Sequence, residues 1–107
     1  MTRDEIEKMP AGRLMDIAIE VDVFKTENIV HPHYSTDIAA AWLVVEKLAK
    51  EPYAWYIHTI NLTTGLRYSV DYWGEPDSPD GEIISYNATA ETAPLAICRA
   101  ALMAVMK

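Results

Sequence analysis

Hydroxyl-bearing side chains stand at two predicted helix starts, where backbone N–H groups are free to bind an anion. Tyr34, Ser35 and Thr36 precede one helix, and Thr92 precedes another. The free donors and the positive end of the helix dipole at such a start favour a phosphate group. The same residue types are also the usual N-caps of helices and need no ligand for that role. These residues are therefore either caps or parts of a phosphate site.

Arg99 is the single charged residue in the apolar segment from Ala93 to Met106, near the end of the sequence. A guanidinium in such a segment needs a partner, because burying its charge without a hydrogen bond or an ion pair is unfavourable in free energy. A structural ion pair with Asp16, Glu20 or Asp37 would provide one. A bound anion would do so equally, and the sequence leaves both interpretations open.

A third group of candidates lies on a predicted hairpin, where Arg67 and Trp73 occur with Trp55 and Tyr56. Aromatic rings stack on nucleobases, and the arginine could contact a phosphate. Aromatic residues on strands are more often plain core or sheet surface. The candidate ligand-binding residues are therefore Tyr34, Ser35, Thr36, Thr92, Arg99, Arg67 and Trp73.

Metal binding and catalysis have weaker support in the residue pattern. His31 and His33 flank a proline near Asp37, and imidazoles and carboxylates are common metal ligands. No further ligand follows at a suitable spacing, so we predict neither a metal site nor another cofactor. The sequence also lacks a Gly-x-Ser-x-Gly motif and a glycine-rich phosphate loop. We therefore predict no catalytic residues and a protein that is not an enzyme.

Composition restricts the remaining possibilities. A chain of 107 residues suits one domain, spanning 1–107. Its 9 basic and 16 acidic residues give a net charge of −7, which argues against binding to duplex nucleic acid. The closing apolar segment is shorter than the roughly 20 residues that span a bilayer, so no membrane association is expected. The single cysteine, Cys98, and the absence of an apolar leader predict a cytoplasmic location.

Two helices are predicted before the first loop. A short one begins with the capping pair Thr2 and Glu5 and ends at Pro10; the next covers Ala11 to Phe24. That second helix carries two apolar stripes. The predicted core face comprises Leu14, Ile17, Ala18, Val21 and Phe24. The predicted assembly surface comprises Met15, Ile19 and Val23, and the acids Asp16, Glu20 and Asp22 are interpreted as a solvated face.

The rest of the chain predicts a helix, three strands and a closing helix. Ser35 or Thr36 caps the third helix, whose predicted core face comprises Ile38, Ala41, Trp42, Val45, Leu48 and Ala49. From Tyr53 onward the residue pattern repeats every two residues, which predicts the two strands of a hairpin. A third strand is predicted from Glu82 to Ala88. On the closing helix, a stripe of large residues should face the sheet. Its small stripe, Ala96, Ala100 and Ala104, should meet another helix, from this chain or from a second copy.

The predicted fold class is α+β. The order α-α-β-β-β-α, with apolar residues on both strand faces, predicts a three-stranded antiparallel sheet between helix layers, an α/β/α sandwich. Two apolar stripes on one helix further predict a homo-oligomer, because a small monomer can hardly bury both.

Three stretches of the chain carry a family resemblance: the opening TRDEI-x-x-M-PAGR-x-x-D, the segment YSTDIAAAW and the segment ATAETAPLAICRAAL. Together they resemble the phage ABA sandwich domain, a family of small bacteriophage proteins. The resemblance implies a sheet between helix layers and a phage or prophage origin, and it implies no general biochemical activity. Small accessory phage proteins commonly act on host machinery, including host defence signalling.

These observations lead to one functional hypothesis and two alternatives. The leading hypothesis is a non-enzymatic counter-defence protein in the host cytoplasm that sequesters a small anionic, nucleotide-type immune signal. The first alternative is a protein-binding module that inhibits a host defence enzyme through the surface of Met15, Ile19 and Val23. The second is an enzyme that degrades the same signal.

Overall fold

The computed structural model of the chain describes residues 2–26, 30–48, 54–62, 65–74 and 84–105; for 54–58, 60–62, 65–66, 73–74 and 84–85 it describes the backbone alone. The helices are α1 (Arg3–Lys8), α2 (Arg13–Asp22), α3 (Ile38–Leu48) and α4 (Ala93–Val105), and the strands are β1 (Ala54–Leu62), β2 (Gly65–Gly74) and β3 (Ile84–Ala90). Each of the three helices before the strands is predicted from the sequence, and the order α-α-β-β-β-α omits one of them.

The strands form an antiparallel sheet in the order β1-β2-β3. On one face, Val70 lies opposite Ala88 and Tyr68 opposite Ala90, and Val70, Ala88 and Ala90 are fully or almost fully buried. This face is covered by α4, which contacts both β2 and β3. The prediction of an α+β fold with an antiparallel sheet is confirmed.

On the opposite face of β2 and β3, the side chains that the structure describes are polar. Asn87 donates from Nδ2 to Ser69 Oγ over 3.0 Å and to Asp71 Oδ1 over 2.6 Å. Asn87 and the neighbouring Thr89 are exposed. A face whose polar groups bond to one another and to water gains little from a helix laid on it.

Helix α4 is the centre of the fold. Its residues from Pro94 to Ala104 are buried, with Arg99 as the half-buried exception. One side of α4 meets the sheet, and α1, α2 and α3 pack against the rest of its circumference. The sequence predicted the sheet as the middle layer, but among the described residues α4 lies between the sheet and the other helices. The reason is that α4 is apolar nearly all round and needs cover on more than one side.

The stripe of small residues on α4, formed by Ala96, Ala100 and Ala104, is buried within the chain. Ala96 and Ala100 are completely buried and Ala104 almost so, and α3 is the helix with the most extensive contact to α4. The stripe is therefore covered within this chain, and that it meets another helix stays a prediction.

Helix α2 presents to the core the stripe that the sequence assigned to its surface. Met15, Ile19 and Val23 are buried, whereas Leu14 is 76% exposed and Ile17 and Val21 are also exposed. The predicted core face is therefore wrong for these three residues and right for Ala18, which is buried. Asp16 and Glu20, interpreted as solvated, are buried too, because each has hydrogen-bond partners from the 34–35 turn.

Helix α3 is rotated relative to its predicted core face. Ala40, Ala41, Val44 and Val45 are buried, whereas Ile38 and Trp42 are exposed. Its cap also differs from the prediction, since Asp37, and neither Ser35 nor Thr36, accepts the N–H of Ala39 over 3.0 Å. Ala49, the last residue of the predicted core face, lies outside the described residues.

Within the described part of the chain, none of the helices has the length and apolar character needed to cross a bilayer.

Candidate functional site

Three cationic side chains converge on one cleft beside the start of α4. Lys8, Arg67 and Arg99 line a cavity of about 300 Å³, together with Pro10, Ala11, Glu91, Thr92 and Leu95. We call this the cationic cleft. It brings together three of the seven predicted ligand-binding residues, Arg67, Thr92 and Arg99, which are separated widely in sequence.

Each cation reaches the cleft from a different element. Lys8 ends α1, Arg67 lies near the start of β2, and Arg99 lies in the second turn of α4. Antiparallel pairing places Tyr68 of β2 opposite Ala90 at the end of β3, so Arg67 comes close to the turn that leads into α4. The site therefore depends on the packing of α1 and the sheet around α4.

Arg99 is held by main-chain oxygens. Its Nη1 donates to the carbonyl of Thr89 over 2.8 Å, and its Nη2 donates to the carbonyl of Met9 over 3.1 Å. The ion pair considered with Asp16, Glu20 or Asp37 is not formed. Arg99 thus ties the end of β3 and the connector after α1 to α4, without neutralising its charge.

The charge of Arg99 remains poorly compensated. Burial, and next the nearby positive charge of Arg67, lower the pKa of the Arg99 guanidinium, whereas Glu7 and Glu91 oppose the shift. Among the described buried side-chain atoms, Arg99 Nε alone has no hydrogen-bond partner. An anion in the cleft would relieve the repulsion between the two guanidinium groups.

Thr92 stands at the mouth of the cleft, immediately before α4. The Ala96 N–H donates to the Thr92 carbonyl over 3.1 Å, so the helical hydrogen bonds begin there. The N–H groups of Ala93 and Leu95 precede this bond, and the first turn of an α-helix has no intrahelical acceptor for such groups. The start of α4 thus adds partial positive charge to the cationic cleft.

Tyr34 and Ser35 are buried structural residues. Tyr34 donates from its hydroxyl to Glu20 Oε2 over 2.8 Å and stacks on Phe24 with ring centroids 5.2 Å apart. Ser35 donates from Oγ and from N to Asp16 Oδ1, over 2.7 and 2.8 Å. Their polar groups are satisfied inside the chain, so we correct their assignment from ligand contact to positioning of the 34–36 turn.

Thr36 lies on a second cleft, separate from the first. A cavity of about 460 Å³ is lined by Gly12, Arg13, Asp16, Val30, His31, His33 and Thr36. We call this the histidine cleft. Among the described residues, no group of three or more histidine, cysteine, aspartate or glutamate side chains could hold a metal ion.

The backbone of Trp73 lies far along β2 from Arg67 of the cationic cleft. It pairs with Ala54 and Ser85 near the far end of β2, six residues beyond Arg67. At about 3.3 Å per residue, this places the two backbones roughly 20 Å apart. The side chains of Trp73, Trp55 and Tyr56 lie outside the described part of the structure, so the proposed stacking platform stays a prediction.

The family model of the phage ABA sandwich domain matches residues 11–102. The chain belongs to this family. The match covers α2, α3, the sheet and most of α4, and it includes Arg67, Thr92 and Arg99. No curated protein and no solved structure matches the chain.

Sequence reasoning missed Lys8 as a cleft residue. It precedes the part of the chain that matches the phage ABA sandwich domain. The available signal was its place in the last turn of α1, because Pro10 ends that helix and forces the chain to turn there. The sequence does not say that this turn is fastened to α4 by the Met9 carbonyl.

Proposed function

We propose that this phage protein binds and sequesters a small anionic molecule of the nucleotide type, without converting it, and that the cationic cleft holds its phosphate. The observation that carries the proposal is the convergence of Lys8, Arg67 and Arg99 at the start of α4. Glu91 also lines the cleft, so the three cations leave it with a net positive charge in a chain whose total net charge is −7.

The cleft has the donor set of a phosphate site. Arg67 and Arg99 can each supply forked N–H donors, and Lys8 supplies a point charge. The size of the cleft, about 300 Å³, is at the lower end for ligand pockets. It suits a phosphate with the adjoining part of a nucleotide, while the rest of the ligand would extend outside.

The phage origin supports the biological part of the proposal. A phage gains from removing a host immune signal, and many such signals are cyclic or linear nucleotides. A protein that holds the signal tightly needs cations and donors but no nucleophile, base or metal. The cationic cleft offers this chemistry.

The experiment is a titration of the purified protein with cyclic dinucleotides and cyclic ADP-ribose-like molecules, followed by calorimetry and by thermal stability. We expect one of them to bind and to raise the melting temperature, since a ligand that binds the folded state stabilises it. Absence of binding by every member of the panel, in a folded sample, would sink the proposal.

Arg67→Gln is the informative variant, because among the described residues no hydrogen bond or ion pair of the fold involves the Arg67 side chain, and this side chain lines the cleft near Arg99. We expect at least about a tenfold loss of affinity, corresponding to one charge-assisted contact. Lys47→Gln is the matched control: it removes one exposed positive charge from α3, away from the cleft, and should leave the affinity unchanged.

The fate of the ligand separates sequestration from degradation. After the complex is denatured, a sequestering protein should release the ligand intact, as judged by mass spectrometry. A shortened or linearised product would favour the enzyme alternative.

The inhibitor alternative needs a different surface from the one predicted. Met15, Ile19 and Val23 are buried against the core and cannot contact a host enzyme. The exposed apolar residues of α2 are instead Leu14, Ile17 and Val21.

A further inference from the structure

The histidine cleft combines a buried acid with a basic rim. Asp16 lies at its base with only 2% of its surface exposed. Arg13 and His33 are exposed at the rim, and His31 is half-buried beside them. None of these three side chains lines the cationic cleft; His31 Nδ1 lies 3.3 Å from the Pro32 carbonyl oxygen, and His33 lies next to Asp16.

One oxygen of Asp16 is committed to the fold and the other faces the cleft. Oδ1 accepts both hydrogen bonds from Ser35. Oδ2 lies 3.8 Å from Nδ1 of His33, whose side chain is 79% exposed, and this separation is longer than a direct hydrogen bond. A buried carboxylate oxygen at a cavity wall is a strong acceptor for a ligand hydroxyl.

The opposite charges of Asp16 and Arg13 indicate which class of ligand the histidine cleft can bind. A bare inorganic anion would meet the carboxylate of Asp16, which repels it. A bare cation would meet the positive charge of Arg13, which repels it. A molecule that carries hydroxyl donors at one end and a phosphate at the other satisfies both parts of the cleft.

We propose that the histidine cleft binds a sugar phosphate. A sugar hydroxyl donates to Asp16 Oδ2, and the phosphate lies against Arg13 and His31 at the rim. His33 stands between the two ends, and the cavity volume of about 460 Å³ accommodates a pentose phosphate.

This site is distinct from the cationic cleft, although both border the connector between α1 and α2. Pro10 and Ala11 line the cationic cleft, whereas Gly12 and Arg13 line the histidine cleft. The proposal therefore does not depend on the nucleotide proposal, and each cleft has its own arginine to test.

The test is a titration of the full chain with ribose 5-phosphate, ribose and inorganic phosphate, followed by NMR of the backbone and histidine signals and by calorimetry. We expect ribose 5-phosphate to bind at least about tenfold more tightly than either fragment and to shift the signals of Arg13, His31 and His33. Equal affinity for inorganic phosphate and ribose 5-phosphate would overturn the proposal.

Variants locate the binding. Arg13→Gln removes an exposed charge at the rim and should weaken ribose 5-phosphate binding at least about tenfold, whereas Lys47→Gln should not. Asp16→Asn keeps the Oδ1 acceptor for Ser35 and replaces Oδ2 by a donor, so it should also weaken binding in a sample that a thermal melt proves folded. Loss of ribose 5-phosphate binding in Arg67→Gln but not in Arg13→Gln would overturn this proposal. It would not contradict the proposal that the cationic cleft binds a phosphate.

Discussion

Ser35 shows how one buried hydroxyl can join two distant parts of a chain. Its Oγ accepts the Gly12 N–H over 2.9 Å and donates to Asp16 Oδ1 over 2.7 Å. The residue before α2 and a residue within it are thereby fixed to the 34–36 turn. A sequence pattern of hydroxyls before a helix cannot distinguish this role from capping or ligand binding, because all three use the same donor and acceptor.

Ser35→Ala should therefore destabilise the protein. It leaves the Gly12 N–H and an oxygen of Asp16 short of partners, which costs about 1–3 kcal/mol in the free energy of unfolding. Chemical denaturation measures the loss. Thr36→Ala, at the next and exposed position, is the control and should stay within about 0.5 kcal/mol of the parent. Equal stability of the two variants would contradict the structural role of Ser35.

The raised pKa of Cys98 leads to a prediction about protein stability in alkaline solution. Burial, and secondarily the Asp16 carboxylate, raise the pKa of the Cys98 thiol far above its usual range. Above about pH 8.5 the thiol ionises in the unfolded chain and stays protonated in the folded one, so the unfolded state is favoured. The contribution is fully present below that pH and is lost as the pH rises toward the folded pKa.

Denaturation between about pH 8.5 and pH 10 should show this loss as about 1 kcal/mol of unfolding free energy for each pH unit. The matched variant Cys98→Ala should lack this part of the slope, although its stability is lower at every pH. Parallel pH profiles of parent and variant would mean that the thiol ionises equally in both states.

At the scale of elements, the connector between α1 and α2 is the joint on which both clefts depend. Arg99 holds it through the Met9 carbonyl, and Ser35 holds it through Gly12. Gly12 has φ 144° and ψ −164°, a backbone conformation that is essentially restricted to glycine. The backbone conformation alone requires a glycine here. A Cβ at this position would not clash, because no atom lies within 4 Å of it.

Gly12→Ala should lower the free energy of unfolding by about 1–3 kcal/mol through backbone strain alone. The adjacent Ala11→Gly is the control, and its entropic cost should stay at or below about 1 kcal/mol. Urea denaturation of both variants makes the comparison. A Gly12→Ala variant as stable as the parent would mean that the connector follows a different path.

The two faces of α2 mark the limit of what periodicity predicts. Both stripes recur at helical spacing, so the period places a helix correctly but does not say which face is inside. The sequence favoured the longer stripe and treated Asp16 and Glu20 as solvated. The other stripe can be buried because both acids have distant hydrogen-bond donors: Ser35 lies 19 residues from Asp16, and Tyr34 lies 14 residues from Glu20.

Met15→Ala and Leu14→Ala, at adjacent positions of α2, test that orientation. Met15 is fully buried, so its truncation should cost about 2–5 kcal/mol. Leu14 is 76% exposed and should change stability by no more than about 0.5 kcal/mol. If Leu14→Ala lowers the free energy of unfolding more than Met15→Ala does, the buried face of α2 is the one that the sequence predicted.

At the scale of the whole molecule, the central position of α4 explains which features the sequence could predict. Its apolar circumference required cover from both sheet and helices, and the structure provides both. The cationic cleft, by contrast, forms from residues in α1, β2 and α4 that no local pattern connects. Arg67, Arg99 and Thr92 were found by their chemistry, whereas Lys8 could be found only through the packing of α1.

The exposed apolar residues of the outer helices bear on assembly. The stripes that predicted a homo-oligomer, on α2 and α4, are buried within the chain. The structure instead exposes Leu14, Ile17 and Val21 on α2, and Ile38, Trp42 and Leu43 on α3. Large exposed apolar surfaces often mark interaction sites. We propose that the surface formed by Ile38, Trp42 and Leu43 on α3 pairs with the same surface of a second copy, as in a twofold dimer.

Light scattering after size-exclusion chromatography should then give the mass of a dimer for the parent protein. Trp42→Glu places a charge on a side chain that is 50% exposed, so it should shift the protein to a monomer without unfolding it. Lys47→Glu, exposed on the same helix, adds negative charge outside the apolar surface and should leave the dimer intact. Because each chain carries a net charge of −7, added salt should strengthen the association by screening the repulsion between copies. A parent protein that stays monomeric at high concentration and high salt would show that this surface does not pair with itself.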